Sequence, residues 1–178
     1  MILSEKQVHT DKYGGCVDII TGIEDFDTPD LTYNEEFHTY RYKGRIIPSV
    51  TQLLDDGTYK DIPEEILESA QLRGLLIHKE IEDYLKHQEM GYTSEFDEFL
   101  NIYTTESEKF LEKAIFDIKT YATATKKNRE KCLEQEKLYA KAIEYLTGEK
   151  IEKFYMIHLP KNKKGKLIEL EDNNGSNE

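Results

Sequence analysis

With 178 residues the chain is long enough to bury one proper core and too short for two ordinary domains. Its two cysteines, Cys16 and Cys132, stand apart from any His or Cys at ligand spacing, which excludes a disulfide framework and argues against zinc and iron–sulfur centres. The formal net charge of −12 counts against a broad nucleic-acid-binding surface, because such affinity comes mostly from Lys and Arg neutralising phosphate.

Some basic residues are nonetheless concentrated, at Lys126-Lys127, Arg129 and between Lys161 and Lys166, and clustered acids can serve as an ion site. There is no run of about eighteen apolar residues, and Met1-Ile2-Leu3-Ser4-Glu5-Lys6 lacks the basic-then-apolar pattern of a secretory leader. A soluble, intracellular (cytoplasmic) protein with no membrane partner is therefore expected.

In chain order, alternation predicts two strands, Ile2 to Thr10 and Cys16 to Thr21, joined as a hairpin through Lys12-Tyr13-Gly14-Gly15. An acidic connector follows from Glu24 to Asp30. Phe37 to Tyr42, a turn at Lys43-Gly44 and Arg45-Ile46-Ile47 read as a second hairpin, and Ser49 is placed to cap a short helix through Leu54. Helical spacing covers Pro63 to Lys86 and Ser94 to Leu111. Ala114 to Thr120 is short, apolar and β-branched, as a buried strand would be. A long helix from Lys127 to Leu146 stops at Gly148, and Phe154 to Leu159 with Lys166 to Leu170 forms a last strand pair. Asp172 to Glu178 is polar and expected to be disordered.

The expected fold class is α/β, with a central mixed β-sheet flanked by helices. It forms a single domain over 1–170, made of a hairpin at 1–26 bearing Asp18, a hairpin and helical region at 31–112, and a β-α-β core at 114–170. The segment 171–178 is expected to be a tail.

Asp117-Ile118-Lys119 is the only acid-x-lysine in the chain. Residues two apart on a strand share a face, so the carboxylate and the ammonium project together while Ile118 points into the core. Such a pair can bind a divalent ion and orient the water that attacks a phosphodiester; the plainer alternative is a strand-end salt bridge. Asp18 sits among Val17, Ile19 and Ile20, where an unpaired acid would cost several kcal/mol. His78 lies inside the first long helix with Glu82 one turn on, and Gln135 and Tyr139 are four apart on the last helix. Each has an ordinary structural explanation: a strand-edge acid, a satisfied core histidine, a polar–aromatic pair.

The set as a whole, Gly-x-x-x-His at Gly74–His78, Gly-Gly-x-x-Asp at Gly14–Asp18, Asp-x-Lys-Thr at Asp117–Thr120 and Gln-x-x-x-Tyr at Gln135–Tyr139, resembles the RecB-like branch of the PD-(D/E)xK nucleases. Phage exonucleases and the mitochondrial genome maintenance exonuclease belong to this branch. Tyr42 to Thr51 is similar to the segment before the family's first helix, and Phe154 to Pro160 to its last core strand. The resemblance implies a restriction-endonuclease-like core in which His78, Asp18, Asp117 and the carbonyl of Ile118 bind Mg²⁺ or Mn²⁺. By the same resemblance Lys119 positions or activates water, and Gln135 with Tyr139 supports the site. Glu5 and Glu82 have secondary roles, and Ser49, Thr51, Arg73 and Thr120 hold nucleic acid.

One departure from the family concerns order. There the histidine helix precedes the aspartate hairpin, which leads directly into Asp-x-Lys; here the hairpin stands first. Because Glu112-Lys113-Ala114 is a short join, the rearrangement implies a displaced hairpin or one exchanged between two chains of a homo-oligomer. The function expected from the resemblance is a metal-dependent deoxyribonuclease acting on single-stranded DNA with free ends, in recombination, repair or phage replication. The alternative is an inactive acidic binding protein on the same fold, a DNA mimic or inhibitor, or a structural subunit that binds DNA without cutting.

Overall fold

A computed structural model describes residues 3–10, 16–23, 30–34, 39–54 and 62–171; for 3–10, 16–23, Tyr33 and Thr51 it describes the backbone alone. The expected glycine turn at Gly14-Gly15, the connector from Glu24 to Pro29, Phe37-His38 and the tail from Asp172 lie outside these residues.

The first two strands form an antiparallel hairpin, β1 (Leu3–Thr10) with β2 (Cys16–Ile23), in a register that sets Val8 opposite Asp18. A three-stranded antiparallel sheet follows: β3 (Leu31–Asn34), β4 (Thr39–Tyr42) and β5 (Arg45–Ile47). Lys43 and Gly44 join the last two with φ of 48° and 78°, the paired positive values of the tight turn that matches strand twist. Strand β3 was not foreseen; its signal is the β-prone triplet Leu31-Thr32-Tyr33. Ser49 caps α1 (Val50–Leu53) in a reciprocal box with Gln52, as its position suggested.

Helix α2 (Glu64–His87) starts after Pro63 with Glu64 and Glu65 in its first turn and ends with Lys86 and His87, so both ends complement the helix dipole. Helix α3 (Ser94–Thr105) begins at a Thr93 cap and stops short of the expected Leu111. The Thr104 and Thr105 hydroxyls bond back to main-chain carbonyls of the preceding turn, a competition that weakens a helix, and a short 3-10 turn covers Lys109–Leu111 instead. The remaining elements fall close to expectation: β6 (Ala114–Lys119), α4 (Lys126–Thr147) closed by left-handed Gly148, β7 (Lys153–His158) and β8 (Lys166–Glu169).

Strand β7 runs between β6, to which it is parallel, and β8, to which it is antiparallel, making a small mixed sheet. Both faces of the sheet are covered. On one, Phe116, Ile118, Ile157, Leu159 and Leu167 pack on Ile77 and Ile81 of α2 and Phe96, Phe99 and Ile102 of α3. On the other, Ile115, Phe154, Met156 and Ile168 meet Cys132, Leu133, Ala140 and Ile143 of α4. Double coverage explains why β7 reads as an uninterrupted apolar run. A chain of aromatic rings crosses the first interface and ends at the sheet, where Phe110, Phe116 and Tyr155 stack at centroid spacings of 4.6 and 5.0 Å.

The chain is thus mixed α/β, and among the described residues its strands form three small sheets where one central sheet was expected. Strand β2 was expected beside β6; among the described residues it pairs with β1, and β6 pairs with β7. Closing a local hairpin costs far less loop entropy than joining β2 to a strand beyond three intervening helices. No described helix is long and apolar enough to cross a membrane.

Candidate active site

In an open sheet with parallel strands, ligands bind beyond the strands' carboxyl ends, and the chemically distinctive residues gather there. Asp117 and Lys119 both project from β6 toward α4, opposite in face to Ile118. Lys119 Nζ lies 2.7 Å from Asp117 Oδ2, with both side chains about seven-eighths buried. Nζ also donates to Gln135 Oε1 at 2.8 Å, and Gln135 Nε2 donates to the Tyr139 hydroxyl at 2.8 Å. An ammonium only donates, so this chain fixes the orientation of the Gln135 amide. Burial alone would lower the Lys119 pKa; the Asp117 carboxylate outweighs it and holds the group above its ordinary value as an ammonium. The main chain is secured too, since Leu159 N–H donates to the Lys119 carbonyl at 2.8 Å.

From the other side α2 brings His78, whose Nε2 lies 3.0 Å from the Ile118 carbonyl oxygen. The ring keeps a solvent-facing edge, yet burial of the remainder lowers its pKa, against the opposing pull of Asp117. A neutral imidazole is the form that ligates metals. Arg73, one helical turn and a residue earlier, donates to Glu95 Oε1 at 2.8 Å and to the Thr120 carbonyl at 2.6 Å, clamping α2 and the start of α3 to the end of β6. Burial would raise the Glu95 carboxyl, but hydrogen bonds from Ser94 and Arg73 override it and the net shift is downward.

Two residues on the α4 side escaped the sequence reading. Cys132 Sγ lies 3.7 Å from Asp117 Oδ2 and 3.3 Å from Glu136 Oε1, and both Cys132 and Glu136 are fully buried. The Glu136 Oε2 atom has no hydrogen-bond partner among the described residues. Burial, and next the Asp117 charge, push the Glu136 carboxyl up to about 8. The Cys132 thiol is pushed up by burial and by the same two acids. Neither residue has a His or Cys neighbour at ligand spacing, and the i, i+4 spacing of Cys132 and Glu136 on one helix is the signal the sequence carries.

The structure therefore brings together His78, Asp117, Ile118, Lys119, Thr120, Gln135, Tyr139 and Arg73. Glu82 instead pairs with Lys86 at 2.9 Å on the exposed side of α2, and Ser49 serves as the α1 cap. The side chains of Glu5, Asp18 and Thr51 lie outside the described residues; the backbone of β2, which carries Asp18, runs alongside α2. Compared with protein-family models, curated proteins and solved structures, the chain finds no match.

Proposed function

We propose that this chain is a divalent-metal-dependent nuclease of the PD-(D/E)xK type that hydrolyses DNA phosphodiesters, preferring single strands with free ends. The observation that carries the reading is the meeting of residues from three elements at one strand end: Asp117, Lys119 and the Ile118 carbonyl from β6, Gln135 from α4, His78 from α2. An α/β/α arrangement around a sheet with a parallel pair supports a restriction-endonuclease-like core. Charge placement supports it as well. Because β6 and β7 are parallel, the chain leaves both at the same end of the sheet, and from β7 it enters the lysine-rich turn after Pro160. An acidic protein would thereby present one group of lysines at the site's end of the sheet, where phosphate must approach.

In this reading Asp117, the Ile118 carbonyl, neutral His78 and Asp18 would hold Mg²⁺ or Mn²⁺, a donor set of oxygens and one imidazole nitrogen that suits those ions. Such an ion, when bound, supplies charge neutralisation at the phosphate and a lowered pKa for bound water. Lys119, beside Asp117 and Gln135, would position or activate the attacking water and, as an ammonium, balance charge on the attacked phosphate. Gln135 and Tyr139 keep Lys119 aimed, and Arg73 keeps Thr120 and the end of β6 in place. The exchange of the β1–β2 hairpin between two chains belongs to the same proposal.

Incubating the protein with labelled single-stranded DNA and Mn²⁺, beside Lys119→Ala, tests the reading. Metal-dependent cutting lost in the variant supports it; no cutting by the wild type with any divalent ion overturns it. Linear against circular substrates separates exonuclease from endonuclease action. The −12 charge and the self-neutralised Lys119–Asp117 pair favour the second reading, an inactive acidic module that binds a basic partner, should cutting be absent.

A further inference from the structure

We infer that Asp117, Cys132 and Glu136 form a buried cation site, distinct in chemistry from the one at the strand end, that takes a borderline-soft divalent ion such as Zn²⁺. One oxygen or sulfur from each residue lies within 4.8 Å of the others, and the Sγ distances of 3.3 and 3.7 Å fall within the spacing of neighbouring tetrahedral corners. Metal–ligand bonds of about 2.0–2.3 Å place such corners roughly 3.3–3.8 Å apart. An independent observation points to a missing ligand: Glu136 is fully buried, yet its Oε2 is without a hydrogen bond among the described residues, a state folded proteins seldom tolerate. A thiolate with two carboxylates suits Zn²⁺ and disfavours Mg²⁺, which avoids sulfur.

Binding sends the Cys132 proton, and the proton that buried Glu136 carries near neutral pH, to solvent. The resulting thiolate and two carboxylates are then balanced by the ion together with the Lys119 ammonium. Lys119, 2.7 Å from Asp117 Oδ2, competes with the incoming cation for that carboxylate. The site itself stands on geometry; its consequence rests on the nuclease reading, because an ion held here withdraws Asp117 from the catalytic set and turns cleavage off.

Cadmium is the probe, through the ultraviolet charge-transfer band of a cadmium–thiolate bond, in a chain carrying Cys16→Ser so that Cys132 is the sole thiol. One equivalent of Cd²⁺ should raise the band, and Cys132→Ser should abolish it. Glu136→Gln, which keeps the thiol, should weaken binding by about tenfold or more. Lys119→Met should tighten it. The absence of a band, or equal affinity in Glu136→Gln, overturns the inference. Zn²⁺ should inhibit Mn²⁺-dependent cleavage and lose that effect in Glu136→Gln; inhibition that persists there overturns the regulatory consequence. If no DNA is cut, the cadmium titration still reads out the site, so failure of one reading is distinguishable from failure of the other.

Discussion

The Gln135 amide oxygen receives the Lys119 ammonium at 2.8 Å, joining the last long helix to the tip of β6 through one hydrogen bond between partly buried groups. If Lys119 works as proposed, its aim depends on this contact. Gln135→Leu should lower the cleavage rate by about 10–100-fold while leaving the thermal midpoint nearly unchanged, a split measured by single-turnover kinetics beside a melting curve. Equal rates in the two proteins would remove Gln135 from the working set.

Glu112 offers a pH test at the opposite end of the strand. Its carboxylate receives Lys153 Nζ at 2.6 Å and the buried Tyr155 hydroxyl at 2.8 Å, which hold its pKa down to about 2. A carboxyl depressed by folding stabilises the native state above its unfolded value, near 4.5, and that contribution drains away as pH falls toward 2. Melting temperatures of wild type and Glu112→Gln should therefore differ at pH 7, and the gap should narrow steadily below about pH 4.5, closing only as pH falls to about 2 and below. A constant gap would show that the group does not titrate with folding.

Gly91 separates a steric demand from a tolerated position. A Cβ there would stand 2.6 Å from Cγ of the buried Phe96 ring and 2.9 Å from Glu80 Cδ. Gly91→Ala should cost about 1–3 kcal/mol through overpacking. Gly74, inside α2, would place its Cβ an ordinary 3.5 Å from Thr120 Oγ1, so Gly74→Ala should be neutral or stabilising by up to about 1 kcal/mol. Urea denaturation of both variants checks the contrast, which fails if their order is reversed.

Phe99 is 1 % exposed and sits between the rings of Phe96 and Tyr103, so Phe99→Ala should lose about 3–5 kcal/mol. Tyr92, 94 % exposed, should change stability by under about 0.5 kcal/mol when replaced by alanine. Comparable losses at the two positions would mean that the aromatic interface is not where the domain's stability resides.

Local signals carried much of this fold. Ser49 announced a cap, Gly148 a helix end and Lys43-Gly44 a turn, because each depends on its own few residues. The grouping of strands into sheets was not legible, since β2 and β6 show the same apolar, β-branched composition whichever partner they take; pairing is decided by chain closure and packing. At the candidate site, spacing on strand and helix was enough to put Asp117 with Lys119 and Gln135 with Tyr139. Arg73 was expected to face phosphate, and what occupies it is a carboxylate and a carbonyl supplied by residues far along the chain. Cys132 and Glu136 were missed for a related reason: their significance comes from Asp117 standing across from them, a tertiary fact absent from either residue's neighbours.

Helix α4 both bridges the parallel strands and carries Cys132, Gln135, Glu136 and Tyr139 along one side. These four groups consequently share a single rotational setting. One residue inserted between Thr125 and Cys132 would swing them all by about 100° around the helix axis, whereas lengthening the turn between Pro160 and Lys166 would leave them where they are. The phase of one cylinder, more than the identity of any one side chain, governs whether Asp117 and Lys119 have company.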